Sequence, residues 1–310
     1  MKEIVDAVER HLLESDLANN KFVRSTNNGT NKIYIITHLD SPNVMKELGR
    51  LREITFRAAG GGTGKEVDID EYDIAEAPYK QLIVWNPEDK EIVGGYRFIK
   101  CCDAPVKNGI VQLATTELFE FSENFLSNYV PYTIELGRSF VQPKYQPSSE
   151  NRKGLFSLDN LWDGLGAIVV DNPEIKYLFG KVTMYLHYHP VARDMILFFM
   201  NYYFPDKENI VRPQKPRPIL HDMSAFEKEL KGLPYKEGHR VLNHHVRELG
   251  ENIPPLINSY MNLSSTMKTF GTALNDHFGE VEETGILVTI ADIHETKKER
   301  HISTYLKKRV

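Results

Sequence analysis

Apolar positions along the chain change their spacing repeatedly, and each change predicts an element. Ile4, Val8 and Leu12 recur at helical spacing and predict a short amphipathic helix near the start. Lys32-Ile33-Tyr34-Ile35-Ile36-Thr37 reads as a strand. Ser41-Pro42 is an N-cap followed by proline at the first helical position, and Val44, Leu48, Leu51 and Thr55 then line one face of a helix reaching about Ala59. Arg52 and Phe56 are four apart and share a neighbouring face of that helix. The run Gly60-Gly61-Gly62-Thr63-Gly64 stops it. It lacks the Gly-Lys-Ser/Thr ending of a phosphate loop, so it is a helix stop or a loop over substrate.

Residues 81–85 and 91–99 flank Asn86-Pro87-Glu88-Asp89 and predict a hairpin. Residues 131–141 and 176–185 read as strands, and 158–170 and 190–203 as helices, the last rich in aromatics that suit a core better than an acyl tunnel. Pro205, Pro213, Pro216 and Pro218 make 205–220 a stiff, irregular connection. The remainder is mainly helical until the β run at 285–291. Mixed strands, a central hairpin and flanking helices define an α/β (α+β) domain with no secure internal linker. Its segments are an N-terminal helical part (1–30), a core (31–204), a helical extension returning a strand (205–295) and a basic tail (296–310).

One strand carries chemistry. Tyr132 to Val141 is a largely apolar strand that carries one acid, Glu135, and one base, Arg138, near its middle, and burying a charge costs several kcal/mol unless it is closely paired. Glu135 and Arg138 are three apart, so a regular strand points them to opposite faces. Gly137 between them is the residue type that permits a bulge, which swings both to one side. Charges converging on a broken strand imply a site.

Composition narrows the classes. The chain has 310 residues, 41% hydrophobic and 26% charged, with a net charge of -5 that gives no case for nucleic-acid binding. Its two cysteines, Cys101 and Cys102, are adjacent, poorly placed for a disulfide and suited to a reducing cytoplasm. The charged start has no signal-peptide pattern, and the longest apolar patch, 195–200, is far short of a membrane span. The basic end of the chain, Lys297 to Arg309, reads as a solvated tail or as attraction to an acidic partner or anionic membrane surface. His187-Tyr188-His189 has metal-compatible spacing but no third ligand nearby, so no metal is expected.

Four charged signals recur in order: Arg52 with Phe56, Asp70 with Asp73, Arg97 after Gly94-Gly95, and Glu135 with Arg138. This order resembles the acyl-homoserine-lactone synthase and ornithine-type acyl-ACP N-acyltransferase branch of the GNAT superfamily. Asp68-Ile69-Asp70-Glu71-Tyr72-Asp73 is similar to the acidic motif of the N-acyltransferases, which are often labelled hemolysins, and Glu135-Leu136-Gly137-Arg138 to their Glu-x-x-Arg strand. Leu178-Phe179-Gly180, Ile253-Pro254-Pro255-Leu256 and Ala291-Asp292-Ile293 resemble their later segments, so the likeness runs from about 30 to 295.

The resemblance implies a GNAT fold, with a mixed twisted sheet. It implies transfer of a long acyl chain, with or without a 3-hydroxyl, from the phosphopantetheine thioester of acyl carrier protein to an amino acid such as ornithine or glycine, with no bound cofactor. CoA-dependent relatives follow the central strand with a glycine-rich loop that cradles the diphosphate. Here Asn151-Arg152-Lys153-Gly154-Leu155-Phe156 retains one glycine, which favours the single phosphate of a carrier-protein arm, met by Arg152 and Lys153. An α-amine with a pKa of roughly 8 is mostly protonated at neutral pH, so a carboxylate must relieve it of a proton.

Glu135 is the candidate for that proton, and a backbone amide near Gly137 for the oxyanion. Arg138 and Arg97 are candidates to pair with Glu135 and the acidic motif or to hold the acceptor's carboxylate. Arg52, Asp70 and Asp73 are candidates to lock the N-terminal lobe over the donor's arm. The competing readings are an acyl-homoserine-lactone synthase and a membrane-binding protein of the kind the hemolysin label suggests, with peripheral contact at the inner membrane face.

Overall fold

The computed structural model describes residues 1–17, 21–147 and 152–306, and the side chains of Arg152 and Lys153 lie outside that description. Eight of its strands form one sheet: β1 (Phe22–Ser25), β2 (Lys32–Ile36), β3 (Lys80–Asn86), β4 (Glu91–Lys100), β5 (Thr133–Val141), β6 (Tyr177–Met184), β7 (Lys268–Asn275) and β8 (Val281–Thr289). Their order is β1-β2-β3-β4-β5-β6-β8-β7. Neighbours pair antiparallel except β5 with β6, which run parallel. A parallel pair needs a crossover, and the helix between them, here α4, supplies it.

The helices used below are α1 (Arg10–Asp16), α2 (Pro42–Ala58), α3 (Glu71–Ile74), α4 (Ser157–Asp171), α5 (Pro190–Tyr203), α6 (Tyr235–Glu248), α7 (Pro255–Met261) and α8 (Glu295–His301). The central strands are buried on both faces, which is why they read as continuous apolar runs rather than alternating ones. On one face Leu82, Tyr96, Leu136, Leu178 and Val182 pack with side chains of α4, α5, α6 and α7. On the other, Ile83, Trp85 and Phe140 meet α2, while Ile99, Phe179 and Leu287 meet the segment 101–130. The aromatics of α5 belong to the first of these cores, Phe199 being fully buried, and do not line the active cleft described below. Among the described residues no helix is long and apolar enough to cross a membrane.

Several expected elements differ. Residues 1–9 are not helical: Lys2 and Val5 donate their N–H groups to the carbonyls of Gly64 and Glu66, so only α1 remains of the first helix. The N-terminal part also contributes β1, an edge strand. Ser41 makes no side-chain cap for α2. The carboxylate of Asp16 does so instead, accepting from the N–H groups of Asn43 at 2.7 Å and Val44 at 3.1 Å.

β7 falls in the stretch expected to be helical, and the proline-rich connection contains a short strand, Val211–Pro213, paired with Phe119–Phe121. The described part of the expected basic tail is docked on α4. His301 Nδ1 lies 2.8 Å from Asp163, Arg300 lies 2.8 Å from Asp159, and a side chain at Gly166 would collide with the backbone of His301. Residues 307–310 are outside the described part.

Candidate active site

The parallel ladder between β5 and β6 runs from Thr133↔Tyr177 to Leu136↔Gly180 and then stops, although both strands continue to Val141 and Met184. A wedge therefore opens between them. Its apex is tight: a Cβ on Gly180 would lie 2.6 Å from the Leu136 carbonyl oxygen. Gly180→Ala is expected to force the strands apart, costing about 1–3 kcal/mol, the usual penalty for overpacking. Thermal unfolding followed by circular dichroism checks this, and an unchanged midpoint would show that the apex yields freely.

The cause of the splay is a bulge in β5. Opposite β4 the register passes from Arg97↔Gly137 to Gly95↔Phe140, placing Arg138 and Ser139 in the irregular step. Arg138 carries the left-handed backbone, at φ 49°, while Gly137 does not. The sequence assigned the permissive role to Gly137, and the structure moves it one residue on. A Cβ at Gly137 would meet only the Arg97 side chain at ordinary contact distance. The strained residue is held by its own side chain. Its Nε lies 2.8 Å from Asp68 and its guanidinium 3.4 Å from Asp70, stacked 4.3 Å over the Phe278 ring.

Those contacts belong to a buried charge network. Asp70 caps α3, and Asp73 returns a bond to the Asp70 N–H, forming a capping box. Arg97 donates to both oxygens of Asp70, at 2.7 and 2.6 Å, and lies 3.4 Å from Asp73. Arg52 reaches Asp73 at 3.2 Å and also donates to Gln81, whose own amide donates to Asp73 at 2.8 Å. Burial alone would push the Asp73 carboxyl up, but Arg52 and Arg97 hold it well below the usual carboxylate range. The sequence-predicted residues Arg52, Asp70, Asp73, Arg97 and Arg138 are thus brought together, clamping α2 and α3 onto the sheet.

Glu135 is not part of that network. The bulge does bring it to the same face as Arg138, yet the two do not pair. Glu135 accepts a hydrogen bond from the Tyr79 hydroxyl and another from the Thr115 N–H at 2.8 Å, and it is 1% exposed. The Tyr79 oxygen in turn accepts from the Ala114 N–H at 3.0 Å. The carboxylate lies beneath the sheet, pinning β5 to the segment at 114–115, and does not line the wedge.

The residues that do line the wedge come from both faces of the sheet, around a narrow cavity of about 60 Å³. On one side lie Tyr96, Leu136, Leu178, Leu256, Tyr260 and Ile286; on the other lie Arg138, Lys181, Thr183 and Glu283, flanked by Phe56 and Phe278. Lys181 and Glu283 form an ion pair of 3.3 Å, and Glu283 also accepts from Thr183 at 3.1 Å and Asn275 at 3.3 Å. The sequence reading missed this pair. The signal was present: Lys181 interrupts an apolar strand as Glu135 and Arg138 do, and Glu283 stands just before the last β run.

The predicted donor segment is less informative. Gly154 is required by close packing, since a Cβ there would lie 2.4 Å from the Tyr145 carbonyl oxygen. The Gly60 to Gly64 loop is turned inward. Its Thr63 and Gly64 N–H groups donate to the buried Glu53 at 3.0 and 2.7 Å, so they face a carboxylate and present no anion cradle.

A mixed sheet with a bulged strand splayed from its parallel neighbour defines a GNAT acyltransferase, and a family model described as an acetyltransferase (GNAT) domain matches residues 51–152. Two curated relatives named glycine N(alpha)-acyltransferase extend the likeness over nearly the whole chain. The one from Phocaeicola vulgatus is 54% identical over 99% of this chain and 94% of its own length. The one from Bacteroides thetaiotaomicron is 53% identical over 99% and 91%. A solved CoA-dependent acyl-homoserine lactone synthase covers 89% of this chain and 88% of its own, at 13% identity and a TM-score of 0.38. The chain belongs to the family of these N-acyltransferases.

Proposed function

We propose that the protein transfers a long-chain fatty acyl group from the phosphopantetheine thioester of acyl carrier protein to the α-amine of glycine. The observation that carries this is the wedge itself, which passes through the sheet with an apolar wall on one face and charged groups on the other. An acyl chain suits the wall of Tyr96, Leu178, Tyr260 and Ile286, and a small zwitterion suits the opposite mouth. The thioester carbonyl between them meets the β5 edge beyond Leu136. Backbone groups there are released from the ladder, so an N–H can stabilise the oxyanion as it develops.

The relatives' name supports glycine as acceptor, in preference to ornithine. A carrier-protein donor is supported by the absence of a second glycine at 151–156 and by Gly154 being committed to packing. Purified protein supplied with the same acyl chain on carrier protein or on CoA, together with a panel of amino acids, tests both points. Mass spectrometry is expected to show N-acylglycine, formed at least about tenfold faster from the carrier protein. Equal or faster turnover of the CoA thioester would sink the donor assignment, and a preferred second amino acid would sink the acceptor.

A further inference from the structure

Resting on that reading, we propose that Lys181 and Glu283 form the amino-acid subsite, with Lys181 gripping the acceptor's carboxylate and Glu283 receiving the proton of its ammonium. Among the described residues the wedge is lined by two cationic side chains, Arg138 and Lys181. Arg138 is neutralised by Asp68 and Asp70 and held in place by them. Among the described residues Lys181 has one carboxylate partner, Glu283, and the pair sits side by side in the wall with Lys181 13% and Glu283 3% exposed. An amino-acid zwitterion also carries opposite charges about 3 Å apart, because only one carbon separates its amine from its carboxyl. Laid against the pair head to tail, it turns one ion pair of 3.3 Å into a closed square of alternating charges.

Thr183 and Asn275 donate to Glu283 and fix its carboxylate while Lys181 leans toward substrate. Phe56 and Phe278, in edge contact at 5.0 Å between centroids, stand over the same mouth beside Arg138 and leave little room for an acceptor side chain. The acceptor therefore has a carboxylate, an α-amine and a minimal side chain.

The step balances without any co-reactant. The ammonium passes one proton to Glu283. The freed nitrogen attacks the thioester carbon, forming the C–N bond as the C–S bond breaks. The departing thiolate takes a second proton from nitrogen, the amide keeps the third, and Glu283 returns its own to water.

Glycinamide, which keeps the amine and lacks the carboxylate charge, isolates the role of Lys181. The readout is the ratio of kcat/KM for glycine to that for glycinamide. The unsubstituted protein is expected to favour glycine by about thirtyfold or more. Lys181→Met is expected to abolish most of that preference, and Lys181→Arg to keep it within about threefold. A pair that only staples β6 to β8 would lower both substrates together and leave the ratio alone.

A ratio for Lys181→Met within about threefold of the unsubstituted value overturns the proposal, as does an unsubstituted protein that uses both acceptors equally, whether or not the variant folds. Absence of any acylated amine with either donor overturns the acyltransferase reading and this proposal with it. Turnover with an unchanged ratio overturns the proposal alone.

Discussion

Asp73→Asn is expected to lower folding stability by about 3–5 kcal/mol, as does the removal of one partner from a buried ion pair. Asp73 is fully buried and touches Arg52, Arg97, Gln81 and the N–H of Asp70. Without its charge Arg97 keeps Asp70, but Arg52 is left 1% exposed with only the neutral Gln81. Asp70→Asn is expected to cost less, since Asp70 is 18% exposed and water can reach the groups it leaves behind. Urea unfolding at pH 7 measures both.

The pH dependence follows from the sign of the shift. The folded-state pKa of Asp73 is depressed, so its contribution is present above the unfolded value of about 4 and is lost as pH falls below that toward the folded pKa. The unsubstituted protein therefore loses stability on acidification faster than Asp73→Asn, and the gap between them narrows. A gap that stays constant from pH 7 to pH 3 would mean that Asp73 contributes through packing and not through its charge.

The sheet was legible where burial is two-sided or a helix is amphipathic. The hairpin β3–β4, the strands β5 and β6 and the helices α2, α4 and α5 emerge close to their expected bounds, because continuous apolar runs and helical spacing survive tertiary packing. The first helix was misjudged because the backbone N–H groups of Lys2 and Val5 are recruited by the carbonyls of Gly64 and Glu66, which are distant in sequence. β7 was missed for a related reason. Lys268-Thr269-Phe270-Gly271-Thr272 alternates weakly and carries a left-handed glycine, so its strand character depends on pairing with β8.

The site divides the same way. Arg97 and Arg138 stand out as charges set in apolar runs, while Arg52, Asp70 and Asp73 were found through the ordered charged signals and the acidic motif shared with the N-acyltransferases. Which acid met which base was beyond the sequence, since the pairing depends on a bulge whose left-handed residue is Arg138, a side chain that β-strand preferences would never place there.

Glu283→Gln is expected to lower kcat by about 10²–10⁴-fold, the span that a positioned general base contributes, with the fold retained. Glutamine keeps the hydrogen bonds from Thr183 or Asn275 through its carbonyl oxygen but cannot accept the amine's proton. Glu135→Gln makes the contrast. Its carbonyl still accepts from the Thr115 N–H, while its amide would donate toward a Tyr79 oxygen that already accepts from Ala114, leaving the phenol hydrogen without a partner. Burial, the larger cause that pushes the Tyr79 phenol above its ordinary range and the one that remains without the Glu135 charge, keeps that proton on tyrosine, so it cannot be surrendered to relieve the clash. The expected cost is about 1–3 kcal/mol of stability with turnover reduced by less than about tenfold. The opposite pattern, a folded and inactive Glu135→Gln beside an active Glu283→Gln, would return the proton to the carboxylate under the bulge. The acceptor would then have to reach deeper along the same face of the sheet, where Glu135 is closed off by Tyr79 and Thr115.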